Sequence, residues 1–216
     1  NYGDESTENL NRVSYYTPRF SGFQAGISYA VDNQSRGQTV NRFDDGAAHG
    51  GVTTSAENIW SGAVNWEGKF DQVGINLGAT GEWGNATLAT NEDLRTWQAG
   101  AKFTYMGFAL AGSYGSWGDS LNATSAANDD DSNFWTVGAS YETGPFGASV
   151  TYLDSRYDLG ATHNDFSNIS VGVDYKLAAG FTPYAEVSFI EVDSAATAAT
   201  NDNDATVFIA GTQLSF

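Results

Sequence analysis

Few residues of this chain could carry acid–base or nucleophilic chemistry. Its 216 residues include two histidines, His49 and His163, and no cysteine. His163 lies near Asp158 and Asp165, so the imidazole and the carboxylate of a hydrolase triad are both close in the sequence. An acidic loop produces such proximity by chance. The sequence therefore predicts that the protein is not an enzyme and has no catalytic residue.

Three short acidic clusters could bind a hard cation. They are Asp44-Asp45, Asp129-Asp130-Asp131 and Asp202-Asn203-Asp204. Carboxylate oxygens suit Ca²⁺, but the spacing does not match that of an EF-hand loop. The lack of cysteine also excludes thiolate ligands and disulfides. We predict hydrated loops, no metal site and no cofactor, and loop-bound Ca²⁺ stays open as the alternative.

The net charge excludes one class of partner. The chain carries 26 acidic against 9 basic residues, which gives a formal charge of −17. No basic stripe offsets this excess, and nucleic acid phosphates would be repelled. We therefore expect no nucleic acid partner.

The elements that position these side chains are predicted to be extended strands. Apolar residues alternate with polar ones, and the clearest example is residues 168 to 177, NISVGVDYKL. This period of two is typical of a strand with one apolar and one polar face. No stretch approaches the ~18 uncharged apolar residues that a membrane-spanning helix needs.

Eleven strands are predicted in this way. Their ranges are 11 to 17, 22 to 32, 58 to 70, 73 to 86, 94 to 106, 108 to 119, 133 to 143, 146 to 158, 166 to 178, 181 to 193 and 204 to 216. Most are longer than the ~5 to 6 residues usual in soluble sheets and match the ~9 to 11 residues that cross a bilayer at a tilt. The pattern favours an all-β, antiparallel, up-and-down transmembrane barrel.

The connections and the aromatic residues support a barrel. Short turns at residues 17 to 22, 71 to 72, 107, 144 to 145 and 179 to 180 alternate with longer acidic loops at 33 to 57, 87 to 93, 120 to 132, 159 to 165 and 194 to 203. Outer-membrane barrels have short periplasmic turns and long extracellular loops. Aromatic residues near both strand ends predict two girdles about 23 Å apart, close to the ~25 Å apolar band of such barrels.

The polar face carries many charges. We predict that it surrounds water, because desolvating so many charges inside a packed core would be costly. The lumen-facing charges are predicted to be Glu67, Lys69, Glu82, Lys102, Glu142, Asp174, Lys176 and Glu186, together with Arg12. Two alternatives stay open, namely a soluble calcium-dependent carbohydrate-binding β-sandwich and an outer-membrane barrel hydrolase.

Two segments resemble a known family. Residues 11 to 30, NRVSYYTPRFSGFQAGISYA, resemble the strand, turn and strand after the constriction loop of the general diffusion porins of Proteobacteria. Residues 207 to 216, VFIAGTQLSF, resemble the terminal strand of that family, in which Phe208, Leu214 and Phe216 would form the assembly signal. The resemblance implies a sixteen-stranded trimeric barrel of the outer membrane.

The resemblance also implies how the chain is organised. Counted backwards from Phe216, the eleven strands would be the sixth to the sixteenth, so residues 1 to 216 would be the C-terminal part of one porin domain. Residues 1 to 10 would be the tail of the constriction loop, and 204 to 216 the terminal strand. An odd number of strands also argues for a longer chain, since closed bacterial barrels use an even number.

Passive transport is the function that the resemblance implies. Ions and small hydrophilic solutes would diffuse through a water-filled channel, past a constriction for which Asp4, Glu5, Glu8 and Arg12 are the candidates. The acidic excess predicts a mild cation preference. Expected partners are outer-membrane lipid, lipopolysaccharide and two further copies of the chain, with Ala185 and Ala210 as candidates for the contact between copies.

Overall fold

Antiparallel strands form the regular structure of the part of the chain that the structure describes. The computed structural model describes residues 11–33, 56–124, 132–158, 163–194 and 202–215. Eleven strands form one sheet in chain order. They are β1 (Arg12–Tyr16), β2 (Phe23–Asp32), β3 (Ala56–Phe70), β4 (Val73–Ala86), β5 (Leu94–Tyr105), β6 (Phe108–Gly118), β7 (Ser132–Thr143), β8 (Phe146–Asp158), β9 (His163–Tyr175), β10 (Phe181–Asp193) and β11 (Asn203–Leu214). Within these ranges, no helix is long and apolar enough to cross a bilayer.

The prediction of eleven up-and-down strands is confirmed, with one clear shift in position. Strand β9 begins at His163 and ends at Tyr175, three residues earlier at each end than the sequence pattern indicates. Pairing with β8 continues through Arg156 opposite Asp165 to Asp158 opposite His163. These polar pairs extend the ladder where the apolar alternation has already stopped.

The exposure of the side chains is the reverse of that in a soluble sheet. On β9, Ile169, Val171 and Val173 are 43%, 41% and 44% exposed, whereas Ser170 and Gly172 between them are half-buried. We call the side that carries these three residues the apolar face, and the opposite side the polar face. Apolar residues that are exposed in register need a surrounding other than water, since burial of apolar surface drives folding.

Both faces continue across the last four strands without interruption. One row of paired residues on the apolar face is Val150, Val171, Val187 and Phe208. The neighbouring row on the polar face is Thr151, Ser170, Ser188 and Val207. Because the pairing slips nowhere between β8 and β11, each side chain there can be assigned to a face.

The chain divides into two compact units. The first comprises Asn1–Trp66, Gly78–Ala99 and Gly115–Ser132. Its described part holds a small buried apolar cluster of Ala30, Ala56, Ile59, Leu94 and Leu121, with Ala86 packed against it. That residues 1 to 216 form one domain stays a prediction.

The second unit comprises Glu67–Leu77, Gly100–Tyr114 and Asn133–Phe216. Its turn between β5 and β6 contains Met106 and Gly107 with φ of 46° and 85°, a left-handed pair that matches the twist of a two-residue hairpin. The Gly107 carbonyl accepts a hydrogen bond of 2.8 Å from the Glu142 backbone N–H. A Cβ at Gly107 would overlap the Glu142 carbonyl oxygen, so this turn requires glycine.

Aromatic side chains pack in pairs on the apolar face near both strand ends. Ring centroids are 4.2 Å apart for Phe108 and Tyr141 beside the short turns, and 5.0 Å apart for Trp135 and Tyr152 toward the long loops. Two tyrosines that the sequence placed in the girdles lie on the other face, because Tyr157 pairs with Asn164 and Tyr16 with Gly26 in the polar-face register. Position along a strand gives the depth of an aromatic ring but not its face.

Candidate functional site: the polar face

The polar face carries all nine charges that the sequence assigned to the lumen. Each of eight alternates within its strand with apolar-face residues, and Lys176 follows the end of β9. Four of them make the following contacts. Glu82 accepts a hydrogen bond of 2.9 Å from Ser61, Glu186 accepts one of 3.1 Å from Ser188, and Lys176 Nζ lies 3.6 Å from Glu142 Oε2. Whether this face surrounds water stays a prediction.

Lysines gather on this face at the end with the short turns. Lys69 and Lys102 line one groove of about 380 Å³, together with Thr104, Ser140 and Glu142. Through its contact with Glu142, Lys176 joins the same region. These are the three lysines of the chain. At the short-turn end of the second unit, the three lysines thus share the polar face with the carboxylates Glu67, Glu142 and Asp174.

Hydroxyl groups bridge neighbouring strands on the polar face. In the first unit, Ser14 Oγ and Ser28 Oγ are 2.8 Å apart on β1 and β2. In the second unit, Ser170 Oγ and Ser188 Oγ are 2.7 Å apart on β9 and β10. Hydroxyls both donate and accept hydrogen bonds, so such a surface can bind water and other polar groups.

One cation of this face was missed by the sequence analysis. Arg19, beside the first short turn, donates hydrogen bonds of 2.6 Å to the Gly22 carbonyl, 3.2 Å to Gln24 Oε1 and 2.7 Å to Asn65 Oδ1. The last two partners belong to β2 and β3. The alternation of apolar and polar residues cannot assign a face to a side chain in a turn, although the turn itself was predicted.

The predicted constriction lies mostly outside the described residues. This applies to Asp4, Glu5 and Glu8, whereas Arg12 lies exposed at the start of β1, opposite Ala30 of β2. The assignment of these four residues therefore stays a prediction.

The predicted assembly signal lies partly within the described part of β11. Phe208 and Leu214 are 71% and 57% exposed on the apolar face, and Phe216 lies outside the described residues. Their role in assembly stays a prediction.

The contacts of His163 do not assemble a triad. Its Nε2 lies 3.1 Å from Asp165 Oδ2, and the other oxygen of that carboxylate accepts a hydrogen bond of 3.0 Å from Arg156 Nε. His49 and the clusters at 44 to 45 and 129 to 131 lie outside the described residues. In the remaining acidic cluster, at residues 202 to 204, Asp202 accepts a hydrogen bond of 3.1 Å from the Ser194 backbone N–H. Across the described ranges, no group of three or more His, Cys, Asp or Glu is placed to hold a metal ion.

An up-and-down antiparallel sheet with an exposed apolar face and a charged, hydroxyl-rich opposite face defines a β-barrel protein of the outer membrane. Residues 1–195 match the family model of the Gram-negative porins. The chain belongs to this family, as the resemblance of its first and last strands predicted, and the soluble sandwich is excluded.

Relatives and solved structures agree with this assignment. An uncharacterized protein of Rickettsia bellii is 30% identical over 97% of this chain and 57% of its own length. The anion-selective porin of Comamonas acidovorans has a TM-score of 0.57 at 22% identity, covering 94% of this chain and 57% of its own. The trimer form of OmpT, an outer membrane protein of Vibrio cholerae, has a TM-score of 0.56 at 14% identity, covering 97% and 66%. The chain thus spans little more than half the length of the relative that it matches.

Proposed function

We propose that this chain lines part of a water-filled channel in the outer membrane, through which ions and small hydrophilic solutes diffuse passively. The observation that carries the proposal is the reversed exposure of the sheet, in which Ile169, Val171 and Val173 face outward while Ser170 and Gly172 are half-buried. Lipid stabilises such an apolar face, and water stabilises the charges opposite. The family assignment supports the same conclusion.

We keep a mild cation preference as part of the proposal. It is supported by the net charge of −17 and by the acidic character of the long connections, which would face the outside of the cell. The similar porin of Comamonas acidovorans is described as anion-selective, but at 22% identity it supports only the fold. The lysines at the short-turn end act against the preference, so we expect it to be small.

The proposed partners are lipid, lipopolysaccharide and two further copies of the chain. The aromatic pairs at both ends of the apolar face support a lipid partner, because such rings favour the membrane–water interfaces. Ala185 and Ala210 are paired on the apolar face of β10 and β11, beside Val173, where small side chains leave the surface flat. The trimer rests on the resemblance to the general diffusion porins, because OmpT, which has a trimer form, is only 14% identical and supports the fold alone.

The proposal includes no catalytic step and no cofactor. The single described histidine shares its carboxylate partner with Arg156, which favours a structural role for that carboxylate. That the acidic loops bind no metal stays a prediction, with loop-bound Ca²⁺ as the open alternative. Equilibrium dialysis of the purified full-length protein with ⁴⁵Ca²⁺ would test it, and we expect no saturable binding.

The test of the function is electrical. The purified full-length protein, reconstituted in planar lipid bilayers, is expected to give stepwise increases in conductance and a small reversal potential of cation sign in a KCl gradient. A detergent-only preparation is the control for leaks. Absence of steps would refute the channel, and a clear reversal potential of anion sign would refute only the cation preference.

A further inference from the structure

An apolar cluster lies on the face where polar residues are expected. Ala30, Ile59 and Leu94 occupy polar-face positions of β2, β3 and β5, since each alternates with exposed apolar-face residues such as Trp60 and Trp97. Ile59 is completely buried, and Ala30 and Leu94 are 3% and 2% exposed. All three lie toward the long loops. A channel wall of the kind proposed above would leave these side chains in contact with water unless something covered them.

Part of the cover comes from the connection after β6. Leu121 packs into this cluster and is 8% exposed. Its backbone has φ of 62°, a left-handed conformation that is costly for a leucine and persists only where the surroundings enforce it. The connection therefore folds back over the polar face and does not extend away from the sheet.

The cover is held by a second connection. Within the first unit, the Glu92 backbone N–H donates to the Asn122 carbonyl at 2.8 Å, and the Leu121 N–H donates to the Glu92 carbonyl at 3.1 Å. Asn91 Nδ2 donates to the Leu121 carbonyl at 2.8 Å. Asn91 and Ala123 form an isolated antiparallel bridge. The connections β4–β5 and β6–β7 are thus joined by backbone pairing at this point.

Both ends of the covering segment are fixed as well. Ser120 Oγ donates to the Arg95 carbonyl at 2.8 Å and accepts from the Arg95 backbone N–H at 2.9 Å. At the other end, the Thr124 backbone N–H and Oγ1 donate to the Thr90 carbonyl at 2.8 and 3.0 Å. A segment fixed at both ends and in the middle has one conformation, because freeing it would break several hydrogen bonds and expose Leu121 together.

We propose that residues 119 to 124, the entrance strap, form a fixed cover on the polar face of the first unit at its long-loop end, and that Leu121 is the positioning residue that holds it. The strap excludes the bulkier of the hydrophilic solutes, such as oligosaccharides, and passes monosaccharides and hydrated ions. This inference rests on the proposed channel function. It adds a size filter at the opening that is separate from the predicted constriction.

The first test removes the anchor. The variant Leu121→Ser is expected to raise the rate of proteoliposome swelling for a trisaccharide relative to arabinose, because the polar side chain releases the strap from the apolar cluster. Leu88→Ser is the matched control, since Leu88 lies in the neighbouring connection, is exposed and is not part of the cluster. Equal swelling ratios for Leu121→Ser, Leu88→Ser and the unchanged protein would overturn the proposal. If Leu121→Ser does not assemble, Leu121→Ala gives the same comparison with a smaller change in polarity.

The second test restores the strap by a covalent bond. Bridged residues are close enough for a disulfide, and the chain has no other cysteine, so Asn91→Cys with Ala123→Cys gives a single defined cross-link. When the two cysteines are introduced together with Leu121→Ser and oxidised, the trisaccharide-to-arabinose swelling ratio is expected to equal that of the oxidised double-cysteine variant that keeps Leu121. Reduction of the disulfide in the protein with Leu121→Ser is expected to raise the ratio again. A ratio that does not respond to reduction would overturn the size filter.

Cross-linking also separates failure of the strap from failure of the channel. The yield of the disulfide is read on a gel without any transport. We expect near-complete oxidation with Leu121 present and a lower yield with serine there. Poor cross-linking in both backgrounds would overturn the strap, whereas efficient cross-linking in a protein that passes no solute at all would overturn the proposed function and with it the size filter.

Discussion

The ammonium nitrogen of Lys176 lies 3.6 Å from the carboxylate of Glu142, and both side chains remain more than half exposed. An ion pair in such contact with water adds little to stability, since solvent screens it. Its charges are therefore available to ions in the surrounding water. With Lys69 and Lys102 in the adjoining groove, all three lysines of the chain lie at the short-turn end of this face.

Charge reversal at these lysines should change ion selectivity. The double variant Lys69→Glu and Lys102→Glu is expected to shift the reversal potential toward stronger cation preference, and the shift should be larger in dilute salt, where the Debye length exceeds ~8 Å. Arg156→Glu is the control, because Arg156 belongs to the apolar-face register of β8. An equal shift in both variants would contradict the assignment of the lysines to the channel.

Two adjacent residues of β8 test which face meets lipid. Val150 and Thr151 are both exposed, on the apolar and the polar face respectively. Val150→Arg is expected to cost about 2–4 kcal/mol if the site lies near the bilayer midplane, whereas Thr151→Arg should cost much less. Urea unfolding in lipid vesicles, followed by tryptophan fluorescence, measures both. A larger loss for Thr151→Arg would mean that the faces are assigned the wrong way round.

Two glycines with positive φ distinguish backbone strain from steric overlap. Gly144→Ala should cost about 1 kcal/mol, because φ is 54° but a Cβ there would meet no atom within 4 Å. Gly107→Ala should cost clearly more, since its methyl group would also press on the Glu142 carbonyl oxygen. The measurement is the midpoint of heat-induced loss of the fast-migrating folded band on a gel. Equal midpoints for the two variants would show that the turn relaxes without cost.

The pair that extends β9 should matter little for stability. Arg156 Nε donates to Asp165 at 3.0 Å, but the Arg156 side chain is 52% exposed. We expect Arg156→Ala to leave the urea midpoint almost unchanged, and high salt to remove any difference from the unchanged protein. A large, salt-independent loss of stability would indicate that the start of the strand depends on this contact.

Alternation alone was enough to predict the number of strands, their order and the faces of their charges, because a period of two is a local property of the chain. It could not predict the start of β9, where His163 and Asp165 pair with β8 although the segment is polar throughout. Nor could it predict the entrance strap. The apolar cluster brings together residues as far apart in the sequence as Ala30 and Leu121, and a local sequence pattern cannot predict a contact over that distance. The one available signal for the strap was that Leu121 is an apolar residue in an otherwise polar connection. Arg19 was missed for the same reason, since its partners Gln24 and Asn65 are brought together only by the sheet.

The unbroken pairing from β8 to β11 also restricts how the length of this chain can change. One residue inserted within β9 would turn every later side chain of that strand over, which would place Asp174 on the apolar face and Val173 on the polar face. Two inserted residues would keep the faces but move the strand past its neighbours. Additions of a single residue are therefore expected to be tolerated in the connections and to abolish assembly within these four strands.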